Sequence, residues 1–230
     1  MTKILFLLPP SEWKNKWEGS NVSEKLSHIF EKPKSIATNA TEKDLKCIGK
    51  RYEEWINLNK KCIELQSENY IEAIQRYSWV MYNAIWYKTL SDTWKKFFDK
   101  NFLIFSWMYW IISPKDAIWN YKLPIETRSL LNFWWDSITE KIQSLKPDFV
   151  VNLLPLSYQK MIDFDIINSH IINMDFYTDK DWELKKMTHQ VKKVKWAWIR
   201  RICEAEINDY QNFGWKIKKN GKYIEIKIII

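Results

Sequence analysis

Two rhythms of apolar and polar positions take turns along the chain. Lys3 to Leu8 is a short apolar run closed by Pro9-Pro10, the pattern of a strand buried on both faces. Phe102 to Phe105, Asp148 to Leu154 and His170 to Phe176 read the same way, and so does Val80 to Ile85. Between these runs the apolar residues fall at helical spacing. Ser23 to Phe30 reads as a short helix. Thr41 with Asp44 three residues on gives a start like a capping box, leading through Leu45, Ile48, Tyr52, Trp55 and Ile56, with Gly49 as a possible break. Tyr70 to Tyr77 and Ser91 to Lys100 also read as helices.

The clearest helix is Leu130 to Leu145, where Leu131, Trp134, Ile138, Ile142 and Leu145 form one stripe and Pro147 stops it. Lys192 to Glu206 predicts another, with an apolar stripe of Val191, Val194, Trp198, Ile202 and Ala205. Gly214 to Ile230 predicts a hairpin turning at Asn220-Gly221. Strands alternating with helices predict an α/β fold, a mixed sheet flanked by helices. With no internal repeat, low-complexity tract or linker, the chain reads as a single domain spanning residues 1–230.

Composition changes this picture at one point. The 230 residues are 46% hydrophobic and 28% charged, ordinary for a soluble globular protein, and no apolar run reaches the ~18 residues of a membrane span. The apolar start ends in Pro-Pro without a small-residue cleavage site, so a first strand is expected rather than a signal peptide. Cys47, Cys62 and Cys203 are widely spaced and read as free thiols of a cytoplasmic protein; a peroxide-sensing thiol is the sharper alternative.

The anomaly is 15 Trp against 4 Gly, where average usage would give roughly 16 glycines. Many tryptophans stand in turn-like contexts: Ser11-Glu-Trp-Lys14, Ser106-Trp107, Ile118-Trp-Asn120, Lys195-Trp-Ala197. Glycine serves such places because it tolerates positive φ and close backbone approach, and tryptophan does neither. The pattern is that of UGA codons meant as glycine but translated as tryptophan; a chain that is truly Trp-rich is the alternative. On the first reading several of Trp13, Trp107, Trp110, Trp135 and Trp196 should sit at positive φ or in crowded places, while Trp55 and Trp134 should pack normally.

With glycine restored in mind, seven segments become recognisable in order. Leu8-Pro-Pro-Ser-Glu-Trp-Lys14 looks like an opening S-P-A-K or P-S-E-G-K loop, and Val80-Met-Tyr82 like a strand ending in V-Y. Phe105-Ser-Trp-Met-Tyr-Trp110 looks like S-G-L-Y-G. Pro114, Asp116, Tyr121 and Leu123 fit P-L-D and P-Y-R-L, with Lys122 where arginine is usual. Phe133-Trp-Trp-Asp136 looks like F-W-G-D. Val150-Val-Asn-Leu153 with Ser157-Tyr158 looks like V-I-N-L-A-S-x-E-Y, with Pro155 departing from a small residue. Lys192-Lys-Val-Lys-Trp196 with Arg200 looks like K-K-A-R-G and its following arginine. Together they resemble the YaaA family of bacterial peroxide-stress proteins, from residue 4 to about 205.

The resemblance implies one α/β fold with a positively charged cleft, a role in limiting oxidative damage, and binding of double-stranded or distorted DNA. It also implies a helix-hairpin-helix-like element at Leu45 to Arg51 and the following helix, where Gly49 with Lys50 and Arg51 suits a backbone-amide contact to phosphate.

The residues themselves give candidates of the same kind. The net charge of +8 suits a polyanionic partner. Lys14, Lys16, Lys50, Arg51, Lys192, Lys193, Lys195 and Arg200 are the candidate DNA or phosphate contacts; solvated lysines are the plain alternative. Ser106, Tyr109, Tyr121 and Asn152 stand at or near strand ends and are candidates for the floor of the cleft, or else turn-forming polar groups. Asp116, Glu126 and Asp136 could serve as acid–base groups or pair with lysines. The histidines and cysteines lack metal-ligand spacing, and there is no P-loop or G-x-G-x-x-G, so neither metal nor cofactor is expected. An enzyme acting on a nucleotide or other phosphorylated ligand, with Lys14, Tyr109, Asn152 and Lys192 lining the cleft, is the second function expected.

Overall fold

The computed structural model describes residues 2–16, 27–64, 70–78, 80–124, 127, 130–180, 183–187, 194, 197, 199–200 and 215–229. In chain order the elements are β1 (Ile4–Leu8), α1 (Glu31–Thr38), α2 (Glu42–Leu45), α3 (Gly49–Glu64), β2 (Ile71–Glu72), α4 (Ala73–Arg76), α5 (Val80–Ile85), a 3-10 turn (Tyr87–Thr89) and α6 (Asp92–Asn101). There follow β3 (Phe102–Ser106), β4 (Trp110–Ile112), β5 (Ala117–Ile118), α7 (Leu130–Ser144), β6 (Phe149–Asn152), α8 (Leu156–Gln159), β7 (His170–Lys180), β8 (Glu183–Lys186), β9 (Trp215–Asn220) and β10 (Tyr223–Ile229).

Eight strands form one mixed sheet in the order β4-β3-β1-β6-β7-β10-β9, with β8 pairing the far end of β7. The five strands β3, β1, β6, β7 and β10 run parallel to one another, and β4, β8 and β9 are antiparallel. Leu5, Phe6, Leu7 and Leu8 of β1 are all buried, as a strand covered on both faces must be. On one face Phe6 and Phe102, register partners, stack at 4.3 Å, and Phe98 of α6 stacks on Phe102 at 4.0 Å. The α7 stripe is buried at Trp134, Ile138 and Ile142. Phe30 meets Trp134 edge-on at 5.1 Å. The strands β2 and β5 form a separate two-stranded piece.

Most of the expected strands hold, with one correction. Val80 to Ile85 is a helix, not a strand: Met81, Tyr82 and Ile85 are buried while Asn83 is exposed, a one-sided helical burial. Short apolar runs carry no period long enough to tell the two apart. Tyr70 to Tyr77 is likewise not one helix, because Ile71–Glu72 pairs with Ala117–Ile118 before the four-residue α4 begins. The helix expected at Ser23 to Phe30 falls partly outside the described residues; Ser27 to Phe30 lead non-helically into α1.

The capping box is present. Thr41 Oγ1 accepts from Asp44 N and Asp44 Oδ2 accepts from Thr41 N, but the helix lasts only four residues before Lys46 turns left-handed. Gly49 then opens α3 at φ +57°. Val194, Ala197, Ile199 and Arg200 are helical as expected, and the rest of 192–206 lies outside the described residues.

Candidate functional site

The parallel strands β1, β3 and β6 end together, and the chain leaving each builds the site. After β1, Pro9-Pro10 stops the strand, and residues 11–16 are clamped onto residues 75–78. Ser11 Oγ donates to Ser78 O at 2.6 Å, Ser78 N to Trp13 O at 3.0 Å and Asn15 N to Arg76 O at 2.8 Å, and Lys14 forms a bridge with Tyr77. The loop carrying Lys14 is therefore fixed by backbone hydrogen bonds rather than by its side chain.

After β3, residues 107–109 make a three-residue hairpin turn into β4. Ser106 Oγ accepts from Tyr109 N at 3.0 Å, and Trp110 takes φ +79°. A three-residue hairpin commonly ends in a left-handed residue, usually glycine, so the backbone at 110 asks for a glycine and holds a tryptophan. Among the described residues its buried indole nitrogen has no hydrogen-bond partner. Trp86 is also left-handed, at φ +48°. Trp107 is almost fully buried, while Trp13 and Trp135 are exposed; Trp196 lies outside the described residues.

Beneath Lys14 lies a buried hydroxyl network. Tyr121 OH shares hydrogen bonds with Ser106 Oγ (2.8 Å) and Tyr77 OH (2.9 Å). Tyr109 packs edge-on to Tyr121 at 5.5 Å, and its OH meets Cys62 Sγ at 3.3 Å and accepts from Trp119 N at 3.1 Å. Burial holds the phenols of Tyr77, Tyr109 and Tyr121 protonated well above their usual range. Burial likewise pushes the Cys62 thiol up to about 12, against a weaker lowering by its Tyr109 hydrogen bond. The Cys47 thiol is also raised, chiefly by desolvation. Both thiols are free, and both are driven away from the thiolate that reacts with peroxide; Cys203 lies outside the described residues.

Lys14 Nζ sits 4.0 Å from the ring centre of Tyr121 and 5.3 Å from that of Tyr77, and donates to Ser11 O at 3.1 Å. Its amine is held well below the usual lysine range. Desolvation is the largest cause; Lys122 and Arg76 add repulsion, and Glu12 and Cys62 oppose it. Lys122 is lowered too, first by burial. Its Nζ donates to Glu12 O and stacks 5.4 Å from Trp55, which also receives Arg51 at 4.6 Å. Ser11, Glu12, Lys14, Trp55, Trp107, Tyr121, Lys122 and Tyr158 thus line one pocket of about 30 Å³, room for one or two waters. Trp107 fills its inner wall, with Nε1 3.4 Å from Tyr158 OH.

The expected residues therefore divide. Lys14, Ser106, Tyr109 and Tyr121 come together, and the exposed Lys16 and Arg51 lie close enough to bear on Lys122. Asn152 ends β6 at the same sheet edge, but its amide is spent on Asn173 Oδ1 (2.9 Å) and Leu154 N (3.2 Å). Lys50 is exposed at the start of α3, where the Gly49 amide already donates to Glu42 Oε1 at 2.9 Å. Arg200 caps the far end of α5, donating to Ile85 O at 3.1 Å and lying 6.0 Å from the Trp86 ring. Lys192, Lys193, Lys195 and Glu126 lie outside the described residues.

Asp116 closes a turn by accepting from Ser113 N, and Asp136 is exposed on α7. Among the described residues no three His, Cys, Asp or Glu side chains converge as a metal site. Arg76, Tyr77, Lys122 and Tyr158 were not among the sequence candidates. The one signal pointing to Lys122 was its place after Tyr121, where arginine is usual.

Comparison with known proteins decides the family. The family described as peroxide stress protein YaaA matches residues 4–218. The chain belongs to the YaaA family. A UPF0246 protein of Malacoplasma penetrans (strain HF-2) is 23% identical over 239 aligned residues, covering 94% of this chain and 95% of that protein. A UPF0246 protein of Rickettsia felis is 25% identical over 205, covering 80% and 83%, and one of Rickettsia bellii is 26% identical over 202, covering 84% and 82%. The YaaA match begins on β1 and ends in β9, so the Lys14 loop, the Ser106 turn and Tyr121 all fall inside it. Among the described residues no helix is long and apolar enough to cross a membrane.

Proposed function

We propose that this YaaA-family chain is a cytoplasmic protein of the peroxide response that grips the phosphate backbone of DNA around the Lys14 pocket. The observation that carries the reading is that Arg51 and Lys122 both lie against the ring of Trp55, which lines the pocket with Lys14 and Lys122, while Lys16 is close enough to act on Lys122. Cations interleaved with aromatic faces suit a backbone that alternates phosphates with stackable bases. Lys50, Lys192, Lys193, Lys195 and Arg200 extend the proposed contact surface. Binding to duplex and to distorted duplex, titrated at several salt concentrations, tests it. The expected log–log slope is about −0.9 per phosphate neutralised. A slope near zero would leave the second reading, an enzyme acting on a phosphorylated small ligand. That reading is favoured by the desolvated amine of Lys14 over its tyrosine floor.

The decoding of the gene belongs to the same reading. Trp110 at φ +79° and Trp107 in the pocket wall are read as positions that are glycine in the organism. Glycine at 107 would remove the indole from the pocket lining, beside Tyr158, and open the pocket to a ligand larger than water. Mass spectrometry of the protein from its own source checks this: tryptophan at both positions would end the decoding reading.

A further inference from the structure

Lysines that only hold a phosphate stand in water, charged and mobile. Lys14 does not. Its stem crosses a loop fixed by backbone hydrogen bonds, and its Nζ is laid on the face of Tyr121 with a carbonyl, Ser11 O, as its hydrogen-bond acceptor. Among the described residues no carboxylate forms an ion pair with it. The charged and titratable groups around it are Lys122 and Arg76, which repel its proton, Glu12, which attracts it, Cys62, and the phenols of Tyr77 and Tyr121. A lysine desolvated beside other cations has its lone pair available at lower pH than an ordinary lysine, the condition for a nucleophilic amine. Tyr158 brings a further hydroxyl to the same pocket, and Lys122 supplies positive charge at its mouth.

We propose that Lys14 is an amine nucleophile that condenses with the aldehyde carbon of a phosphorylated sugar. The Nζ lone pair attacks the carbonyl carbon, the C=O π pair moves to oxygen, and the oxygen takes a proton as the nitrogen loses one, giving a carbinolamine. Departure of the hydroxyl as water, with one further proton, leaves a carbon–nitrogen double bond; hydrolysis reverses it. Neither oxidant nor reductant is needed. The inference rests on the phosphate-binding reading for what is brought to the pocket, but not for the reactivity of the amine.

The aldehyde has two sources, the open-ring sugar of an abasic site in DNA or a free sugar phosphate, and the test has an arm for each. The protein is incubated with a duplex bearing one abasic site, with glyceraldehyde 3-phosphate, and with an intact duplex, each with cyanoborohydride, and the adduct is mapped by peptide mass spectrometry. The expected result is an adduct on Lys14 with at least one aldehyde, forming at a rate that levels off at lower pH than the ~10.4 of an ordinary lysine. Lys14→Arg and Lys14→Met should reduce it to background; Met covers the case in which the guanidinium does not fit the fold. An adduct spread over exposed lysines, or unchanged in both variants, overturns the proposal. Intact-duplex binding without any adduct sinks the amine chemistry and spares the DNA reading. A Lys14 adduct with glyceraldehyde 3-phosphate but no duplex binding does the reverse.

Discussion

The two edges of the parallel sheet are both ringed with lysine, and they use it in opposite ways. At the amino-terminal edge Lys146, Asp148, His170 and Lys222 line an open groove of about 770 Å³. There Lys222 Nζ reaches Asp165 O and Ile167 O, Lys3 Nζ reaches Leu145 O, and Lys3 N donates to Asp148 Oδ2. These cations cap exposed carbonyls and strand starts, which is structural work. At the carboxy-terminal edge the space is about 30 Å³, yet it holds Lys14 over two phenols, Tyr77 and Tyr121. The larger hollow is not the more chemical one. Desolvation by aromatic walls changes what a lysine can do, and open volume does not.

The widest test of that contrast is charge reversal at each edge. Lys16→Glu with Arg51→Glu should weaken DNA binding by about tenfold or more, whatever the base sequence, and flatten the salt slope by about 1 for each phosphate no longer neutralised. Lys146→Glu with Lys222→Glu should leave both unchanged. Equal losses of affinity at the two edges would mean that net charge alone attracts the partner.

Removing one hydroxyl should separate the edges by stability. Tyr121→Phe strands Tyr77 OH and one bond of Ser106 in the interior, at a cost of about 1–3 kcal/mol. Tyr223→Phe removes a surface bond to Asp165 and should cost within about 0.5 kcal/mol. Urea midpoints of the two variants measure this; equal shifts would show that the network is not specially coupled.

Trp110→Gly sharpens the picture at the turn beside the site. It relieves about 1–2 kcal/mol of left-handed strain and removes a buried indole nitrogen that has no partner among the described residues, while giving up the edge-on packing against Phe30. A rise in Tm of about 2–4 °C per kcal/mol gained is expected. A lower Tm would mean that the indole contributes more than the strain costs.

The pH dependence is the smallest and the most local effect. Lys14 is lowered in the folded state, so over the window below ~10.4 the unfolded chain holds more protons and this group makes stability rise with pH. Cys62 is raised to about 12, so from ~8.5 upward the unfolded chain holds fewer protons and stability falls; the phenols add to the fall above ~10. Lys14→Met should remove the rise and Cys62→Ala the first part of the fall, read as urea midpoints against pH.

The sequence carried the sheet well because β1, β3, β6 and the start of β7 are apolar runs set between helical stripes, and Asn220-Gly221 names its own turn. It failed at Val80 to Ile85, where six residues hold no decisive period. The site was half legible. Lys14, Ser106, Tyr109 and Tyr121 stand in strand-end segments where polar groups attract notice. Arg76, Tyr77 and Tyr158 do not: Tyr158 reaches the pocket from α8, and Arg76 and Tyr77 come near Lys14 from the end of α4 and the residue just past it. The clamp between residues 11–16 and 75–78 is what brings Arg76 and Tyr77 beside Lys14. Asn152 looked the same as the others in sequence, but its partners lie within the sheet itself.

The place of β10 has a consequence for the chain as it is made. It lies inside the sheet, parallel to β7, with β9 outside it. A ribosome that has just released His170 must still deliver the residues up to Ile229 before that slot is filled, about 3–12 s at ordinary rates of synthesis. For that interval one whole side of β7 is an open template for any other strand in the cell. The nascent protein is therefore most exposed to mispairing late, after its candidate site has been made, and a chaperone that shields it should act on the last quarter of its synthesis.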